Sequence, residues 1–242
     1  MIRLIYIIIL IYFLAGGIGF YFINRNKAPH VAKKSYTKFI SYFFIINILF
    51  FSIVINPEVF RWLAVVITAG GLAELFKLFS RSGFAHKRYF SAALLIFLVL
   101  ATGFYFFSEL SWKLVLFSFL VLSIFDSFSQ ITGQLWGRKK ILPAISPEKT
   151  WGGFIGGSVI AVASALLLNG LYEGPPGKAL LMGGGIVLFA FLGDLGASYF
   201  KRKYHTKDYS SLIPGHGGIL DRFDSLIAGG SWVAMSIYFF NF

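Results

Sequence analysis

Three aspartates near the C-terminal end of the sequence have the residue type and spacing expected of a metal-bound phosphate site. Asp194 lies within the apolar run Phe191–Ser198, where an acid is costly and therefore marks a functional residue. Asp221 and Asp224 are three residues apart, so that they share one face of a helix. Carboxylates gathered in this way suit Mg²⁺, which binds few protein carboxylates and keeps positions for substrate phosphates. These aspartates therefore indicate a site for a hard cation such as Mg²⁺, and a second cation is left open.

Basic side chains and glycines fill the stretch between these acids. Lysine and arginine are charge-assisted donors to phosphate, and glycine lets the backbone approach a ligand closely. His216 lies between glycines and is interpreted either as a donor to phosphate or as a structural residue. Acids and bases together indicate phosphoryl-type transfer, which depends mainly on positioning and electrostatic stabilisation. The candidate phosphate-binding residues are Lys201, Arg202, Lys207, Gly217 and Gly218.

Two further polar features precede this stretch. Asp126 is an acid at the end of the fifth apolar segment, and such acids are functional candidates. Ser146, Lys149 and Thr150 stand just before the sixth segment, where a helix N-terminus binds anions. The alternative for these three is an interfacial cap beside a tryptophan anchor, Trp151.

The composition requires that a bilayer surround these residues. Of the 242 residues, 57% are hydrophobic and only 13% are charged, against about 25% charged in a soluble domain. The formal charge of +12 is attributed to membrane topology and anionic lipid, and we expect no nucleic-acid partner, because the apolar runs leave no soluble basic face. The absence of cysteine excludes disulfides, thiolate metal sites and cysteine nucleophiles.

Apolar runs long enough to span a membrane, which takes about 20 residues, recur along the chain. They predict an all-α, polytopic membrane protein with about eight transmembrane helices. The predicted segments are Leu4–Ile23, Phe39–Ile55, Val59–Phe79, Phe90–Phe107, Trp112–Ile131, Gly152–Leu168, Lys178–Ala197 and Ser225–Phe240.

Lysine and arginine concentrate in alternate loops between these segments, whereas Glu58, Glu109 and Glu173 lie in the others. By the positive-inside rule, the basic loops are cytoplasmic and both termini are non-cytoplasmic. We divide the chain into N-terminal helices with few polar groups, 1–110, and a catalytic region, 111–242. The cytoplasmic loops of that region are 132–151 and 198–222, which places the polar residues on the cytoplasmic face of the cell membrane.

The run from Ser198 to Asp224 resembles the signature of the phosphatidate cytidylyltransferases, also called CDP-diacylglycerol synthases. The family pattern has Ser, a Lys-Arg pair, Lys-Asp, a small residue, Pro, His-Gly-Gly, Asp-Arg and a final Asp. Asp126 and the stretch Ile145–Trp151 also resemble the family. The matching positions of the signature are Ser198, Lys201, Arg202, Lys207, Asp208, Ser210, Pro214, His216, Gly217, Gly218, Asp221, Arg222 and Asp224.

This resemblance implies that the phosphate of phosphatidic acid attacks the α-phosphorus of CTP, giving CDP-diacylglycerol and pyrophosphate with Mg²⁺ as cofactor. It implies that Asp194 and Asp221 bind the metal, with Asp224 beside them. It also implies a role in phospholipid biosynthesis at the cell membrane. A homodimer is left open. The implied catalytic residues are Asp194, Asp221, Asp224, Lys201, Arg202 and His216. The implied substrate-binding residues are Ser198, Lys207, Asp208, Gly217, Gly218, Arg222, Ser146, Lys149, Thr150 and Asp126.

The sequence also departs from the family pattern. Ala197 and Gly152 stand where the family tends to keep glutamates, which is typical of a divergent member with another lipid substrate. Two alternatives therefore stay open: a CTP-dependent kinase of a polyprenol-type lipid, and a non-catalytic lipid-binding or transport homologue. The product distinguishes the first alternative, because a kinase yields a phosphorylated lipid and CDP.

Overall fold

The structure, a computed structural model, describes residues 2–26 and 28–240. The described residues form long helices, one short helix and a two-stranded hairpin, in a single chain-wide bundle. In chain order, the elements are α1 (Ile2–Asn24), α2 (Pro29–Val54), α3 (Pro57–Arg81), α4 (Lys87–Ser108), α5 (Trp112–Trp136), β1 (Lys140–Leu142), β2 (Ser146–Thr150), α6 (Trp151–Leu167), α7 (Asn169–Tyr172), α8 (Pro176–Lys203) and α9 (Leu220–Phe240).

The fold confirms an all-α, polytopic membrane protein, with the β1–β2 hairpin as its β-structure among the described residues. Seven of the described helices are long and apolar enough to cross a membrane. The helix α6, with 17 residues, is shorter than the roughly 20 that a perpendicular span needs. The eight long helices correspond one by one to the eight predicted segments.

The predicted C-terminal ends of the fifth and seventh segments are wrong, and both lie at the polar end of the bundle. The helix α5 continues to Trp136, and α8 continues to Lys203, so Ser198, Lys201 and Arg202 lie on a helix and not in the predicted loop 198–222. Helical hydrogen bonding continues past the apolar run because the basic last turn of α8 is stabilised by the negative end of the helix dipole.

The hairpin replaces most of the predicted loop 132–151. Its strands are antiparallel, with Lys140 opposite Thr150. Thr150 then caps α6, because its side chain accepts a hydrogen bond of 3.1 Å from the amide of Gly153. This cap fixes where the hairpin ends and α6 begins, and it points β2 at the polar end of the bundle.

Small residues bring α6 against α5. A side-chain carbon added at Gly156 would lie 2.7 Å from Cβ of Thr132, and one added at Gly157 would collide with Ser129. Such contacts let two helix backbones approach closely in a membrane. The close packing holds Asp126 of α5 on the same side of the bundle as the hairpin.

Candidate active site

A polar cavity of about 730 Å³ lies where α5, the hairpin, α8 and α9 meet. Four aspartates on these three helices line it, and basic side chains from the hairpin and from α9 join them. The packing of α8 against α9 therefore brings together residues that are far apart in the sequence. The predicted residues that border this polar cavity are Asp126, Asp194, Asp221, Asp224, Lys149, Thr150 and Arg222.

Asp194 joins α8 to the hairpin. Its carboxylate forms an ion pair of 2.6 Å with the ammonium group of Lys149 on β2. Ser198, one turn further along α8, donates a hydrogen bond of 3.3 Å to the same carboxylate. Lys149 is about four-fifths buried and Asp194 about three-fifths, so the pair faces the polar cavity and remains open to an incoming ligand.

Asp221, at the start of α9, organises the loop before it. One carboxylate oxygen accepts a hydrogen bond of 2.6 Å from Lys201, and this ion pair is almost fully buried. The other oxygen accepts from the amides of Tyr209 and Gly218, at 2.7 and 2.8 Å. Gly217 has a φ of +87°, a conformation that glycine adopts without strain. The glycines thus let the loop fold back onto Asp221.

Tyr209 forms part of the wall behind these acids. Burial and the nearby carboxylates of Asp224 and Asp221 raise the pKa of its hydroxyl well above the usual value. The hydroxyl therefore keeps its proton and donates a hydrogen bond of 3.2 Å to the carbonyl of Ala197. This bond ties the loop to α8.

Glu74, on α3, is a buried acid that the sequence does not connect with this site. Its side chain is 6% exposed. One oxygen accepts from the hydroxyl of Ser210 at 2.7 Å and from the amide of Ile219 at 2.9 Å, and the other accepts from the amide of Leu220 at 2.9 Å. Glu74 thereby satisfies the free amides at the start of α9. It also joins Ser210 to the end of the loop 204–219, which we call the signature loop.

The helix α2 closes the opposite side of the loop. Ser41 donates a hydrogen bond of 2.9 Å to the carbonyl of Pro214, and the ring of Tyr42 stacks on that of His216 at 6.3 Å. The guanidinium of Arg222 lies 4.5 Å from the ring centre of Tyr42, which is cation–π geometry. Burial is the main cause that lowers the pKa of His216, and the positive charge of Arg222 lowers it further. This histidine is therefore neutral at pH 7.

Several predicted residues lie outside the polar cavity. Arg202 donates to the carbonyls of Ile145, at 3.2 Å, and Thr206, at 3.0 Å, and so braces the hairpin against α8. Lys207 and Asp208 are exposed in the loop. Ser146, at the start of β2, and His216 do not line the polar cavity, and direct contact of these residues with a substrate stays a prediction.

The structure also places in this site residues that sequence reasoning missed. Glu74 and Tyr42 are in helices predicted to have few polar groups, although an acid within an apolar run is a signal that applies to Glu74 as much as to Asp126. The hairpin contributes one further basic and one further acidic residue. The unpredicted polar residues that line the polar cavity are Ser129, Gln130, Gln134, Lys140, Glu148 and Ser225.

Two acids of the polar cavity have no cationic side chain paired with them in the described part of the chain. Asp126 and Asp224 form no ion pair with any residue in 2–26 or 28–240, and both interact electrostatically with Asp194. Neighbouring buried carboxylates repel one another unless a cation is between them. Within the same described ranges, no three acidic or histidine side chains are gathered at metal-binding distance, and Asp221 is engaged by Lys201. The predicted ligand set therefore stays a prediction.

Comparison with known proteins identifies the family. The model of the cytidylyltransferase family matches residues 108–240. A phosphatidate cytidylyltransferase of Staphylococcus epidermidis is 35% identical over 200 residues, which cover 78% of this chain and 77% of that protein. The chain belongs to the cytidylyltransferase family. This confirms the family that the Ser198–Asp224 run indicated.

Further members are similar over about half of this chain. A phosphatidate cytidylyltransferase of Rickettsia bellii is 38% identical over 125 residues, covering 48% of this chain and 54% of that protein. That of Staphylococcus saprophyticus is 43% identical over 115 residues, covering 47% and 44%. The family match begins at residue 108, so Tyr42 and Glu74 lie before it and are assigned to the site by the structure.

Proposed function

We propose that the protein transfers the cytidylyl group of CTP to the phosphate of a phosphatidic-acid-like lipid. A lipid phosphate oxygen forms a new bond to the α-phosphorus of CTP, and the bond from that phosphorus to the bridging oxygen of the β-phosphate breaks. The products are CDP-diacylglycerol, or a corresponding CDP-lipid, and pyrophosphate. The names of its relatives support this reaction, since each is a phosphatidate cytidylyltransferase.

The observation that carries this proposal is the polar cavity itself. It combines unpaired acids, Asp126 and Asp224, with cations, Arg222 and Lys149, at one end of an otherwise apolar bundle. Two phosphate-bearing substrates that meet there repel one another, and fixed cations offset that repulsion. A polar site built at the ends of membrane helices allows one substrate to come from water and the other from lipid.

Asp194 and Asp224 are the residues that would hold Mg²⁺, with Asp126 as the third acid. When bound, the cation would neutralise charge on the transferring phosphate and favour departure of pyrophosphate. Asp221 is a predicted ligand whose observed role is to anchor Lys201 and the loop. No second cation is required by the donors described.

The basic residues bind and orient the phosphates. Lys149 reaches Asp194 from β2 and is free to exchange that carboxylate for a phosphate oxygen. Arg222 presents a planar guanidinium held by Tyr42, which suits bidentate contact with phosphate. The lipid nucleophile is already an anion, so no strong general base is needed, and the neutral His216 fits a role in holding the loop.

The site faces the cytoplasm in this proposal. The polar cavity lies at the end of α8 that carries Lys201, Arg202 and Lys203, and the facing ends of α3 and α4 carry Arg81 and Lys87. Positively charged loops stay on the cytoplasmic side, where CTP is present. We therefore place the protein in the cell membrane with its polar cavity open to the cytoplasm.

Purified protein in detergent tests the proposal. With CTP, Mg²⁺ and phosphatidic acid, we expect pyrophosphate release that stops when EDTA removes the metal and resumes when Mg²⁺ is restored. A panel of lipid phosphates with different backbones identifies the acceptor. Absence of turnover across the panel, by protein that elutes as a folded species, would contradict the proposal.

A further inference from the structure

A second cavity, of about 480 Å³, lies between α4, α8 and α9. We call it the α4–α8 groove and define it by Ile96 on α4, Gly196 and Ala197 on α8, and Asp224 and Ile227 on α9. Its lining is almost wholly apolar. Of the described residues that line it, Asp224 alone carries a charge, so the groove is suited to hydrocarbon and not to nucleotide.

The α4–α8 groove adjoins the polar cavity. Asp224 lines both, so a molecule lying in the groove contacts an acid that the polar cavity shares. The ring of Tyr209 forms part of the groove wall beside the signature loop. This shared residue links the groove to the proposed reaction and distinguishes it from an ordinary lipid-facing crevice.

The outer edge of the groove opens to the bilayer. Ile96 is 62% exposed and Leu192 is 51% exposed, whereas Ile227 at its floor is 2% exposed. Tyr89 and Leu100, which line its two ends along α4, stand about 16 Å apart at the helical rise of about 1.5 Å per residue. That depth is about half of the roughly 30 Å hydrocarbon core, so it matches a chain from a lipid in one leaflet.

Cations mark the polar end of the groove. The ammonium group of Lys203 lies 5.9 Å from the ring centre of Tyr89, and that of Lys201 lies 5.4 Å from the ring centre of Tyr209. Both rings line the groove. Positive charge above an apolar slot is complementary to a lipid with an anionic headgroup.

Small residues on α8 create the space. A side-chain carbon added at Gly196 meets no atom within 4 Å, so that position faces the open part of the groove. Ala197 adds only a methyl group, with no charge, to the lining of the groove. A glutamate at this position would place a second carboxylate beside Asp224 in an apolar slot.

We propose that the α4–α8 groove binds one hydrocarbon chain of the lipid phosphate substrate and that Gly196 and Ala197 leave room for it. The proposal rests on the proposed function for the identity of the headgroup. The occupant is an acyl chain whose phosphate lies near Asp224 and Lys201, where the groove adjoins the polar cavity. Filling the groove then weakens use of long-chain lipid and leaves CTP binding unchanged.

Gly196→Leu fills the groove, and Gly184→Leu is its matched control. Both glycines are on α8, both are open at the added side chain, and Gly184 lies outside the groove and the polar cavity. We expect Gly196→Leu to lower kcat/KM for dioleoyl phosphatidic acid by about tenfold or more, the scale of a blocked apolar pocket. Its KM for CTP and its kcat/KM for dihexanoyl phosphatidic acid should stay within about twofold, as in Gly184→Leu.

A second pair, on α4, guards against a folding defect in Gly196→Leu. Ile96→Trp narrows the groove from its exposed edge, and Leu95→Trp changes a neighbour that is 65% exposed and does not line it. We expect the same loss of long-chain use in Ile96→Trp alone. If both fillers behave like their controls, the groove does not hold the substrate chain.

Photolabelling tests lipid binding in the groove independently of enzymatic turnover. Phosphatidic acid with a diazirine in its acyl chain should label peptides of α4 and α8, and excess phosphatidic acid should compete where phosphatidylcholine does not. Equal competition by phosphatidylcholine would mean bulk lipid and overturn the proposal. A protein that is labelled selectively yet forms no CDP-lipid would retain the groove and lose the proposed function.

Discussion

Replacement of Glu74 by glutamine tests whether α3 positions the signature loop. Glutamine keeps one acceptor oxygen, for Ser210 and Ile219, but turns an amide donor toward the backbone amide of Leu220. A buried donor left without a partner costs about 1–3 kcal/mol, and the lost negative charge at the start of α9 costs about 0.3–1 kcal/mol more. We take about 2 kcal/mol, which is roughly thirtyfold in the population of the ordered loop.

This loss of loop order should lower the catalytic rate and should leave membrane insertion unchanged. Asp221 and Asp224 begin the same helix, and a displacement of about 1 Å in a catalytic group can cost about a hundredfold in rate. We therefore expect kcat of Glu74→Gln to fall by about tenfold to a hundredfold. Glu58→Gln is the matched control, since Glu58 is on the same helix in an exposed pair with Arg61, and exposed pairs contribute little.

A substitution in the signature loop disturbs the same contact from the other side. A methyl group at Gly218 would collide with the carboxylate of Glu74, so Gly218→Ala should lower kcat by a similar factor. The double variant with Glu74→Gln should lose much less than the product of the two losses, because both remove one interaction. Near-normal kcat in folded Glu74→Gln, or full additivity in the double variant, would refute the positioning role.

Three further predictions concern the loop and its neighbours. Asp221→Asn should reduce activity by at least about a hundredfold. It should also destabilise the protein by about 3–5 kcal/mol, because Lys201 is left buried and unpaired. The double variant with Lys201→Met should regain thermal stability but not turnover. Arg222→Lys keeps the charge but loses planar stacking on Tyr42 and should raise KM for the phosphate substrates by about tenfold, measured by initial rates; an unchanged KM would exclude phosphate contact. His216 has a pKa lowered by burial and by Arg222, so its contribution to stability is complete above the ordinary value of about 6.5 and is lost as pH falls below it. The melting temperature should therefore fall more from pH 7.5 to 5.5 in the wild type than in His216→Asn, and equal falls would contradict this.

The helices were predictable because a membrane requires long apolar runs with internal hydrogen bonding. The ends of these helices were harder to predict. The helix α8 runs past its apolar part to Lys203, and hydropathy has no signal for a helix that leaves the membrane. The hairpin was missed for a related reason, since strands of three and five residues in a polar connection are too short to show a periodicity.

The acids of the site were predictable one by one, but their partners were not. Asp194 is identified by its cost in an apolar run and Asp221 by its helical spacing from Asp224. Their pairing with Lys149 and Lys201 depends on how the helices and the hairpin pack. Glu74 is separated from Leu220 by 146 positions, and no local pattern connects residues at that distance. Sequence reasoning therefore identified acids that the structure gathers around one cavity, and it missed the helix that fixes the adjoining loop.

The most direct test of the proposed reaction follows two phosphates of CTP separately. Protein, Mg²⁺ and phosphatidic acid are incubated with CTP labelled at either the α- or the γ-phosphate, and the lipid extract is counted. Cytidylyl transfer predicts that the α-label enters the lipid and that the γ-label remains in water as pyrophosphate. Lipid labelled from the γ-position would identify a CTP-dependent kinase instead and would contradict the account.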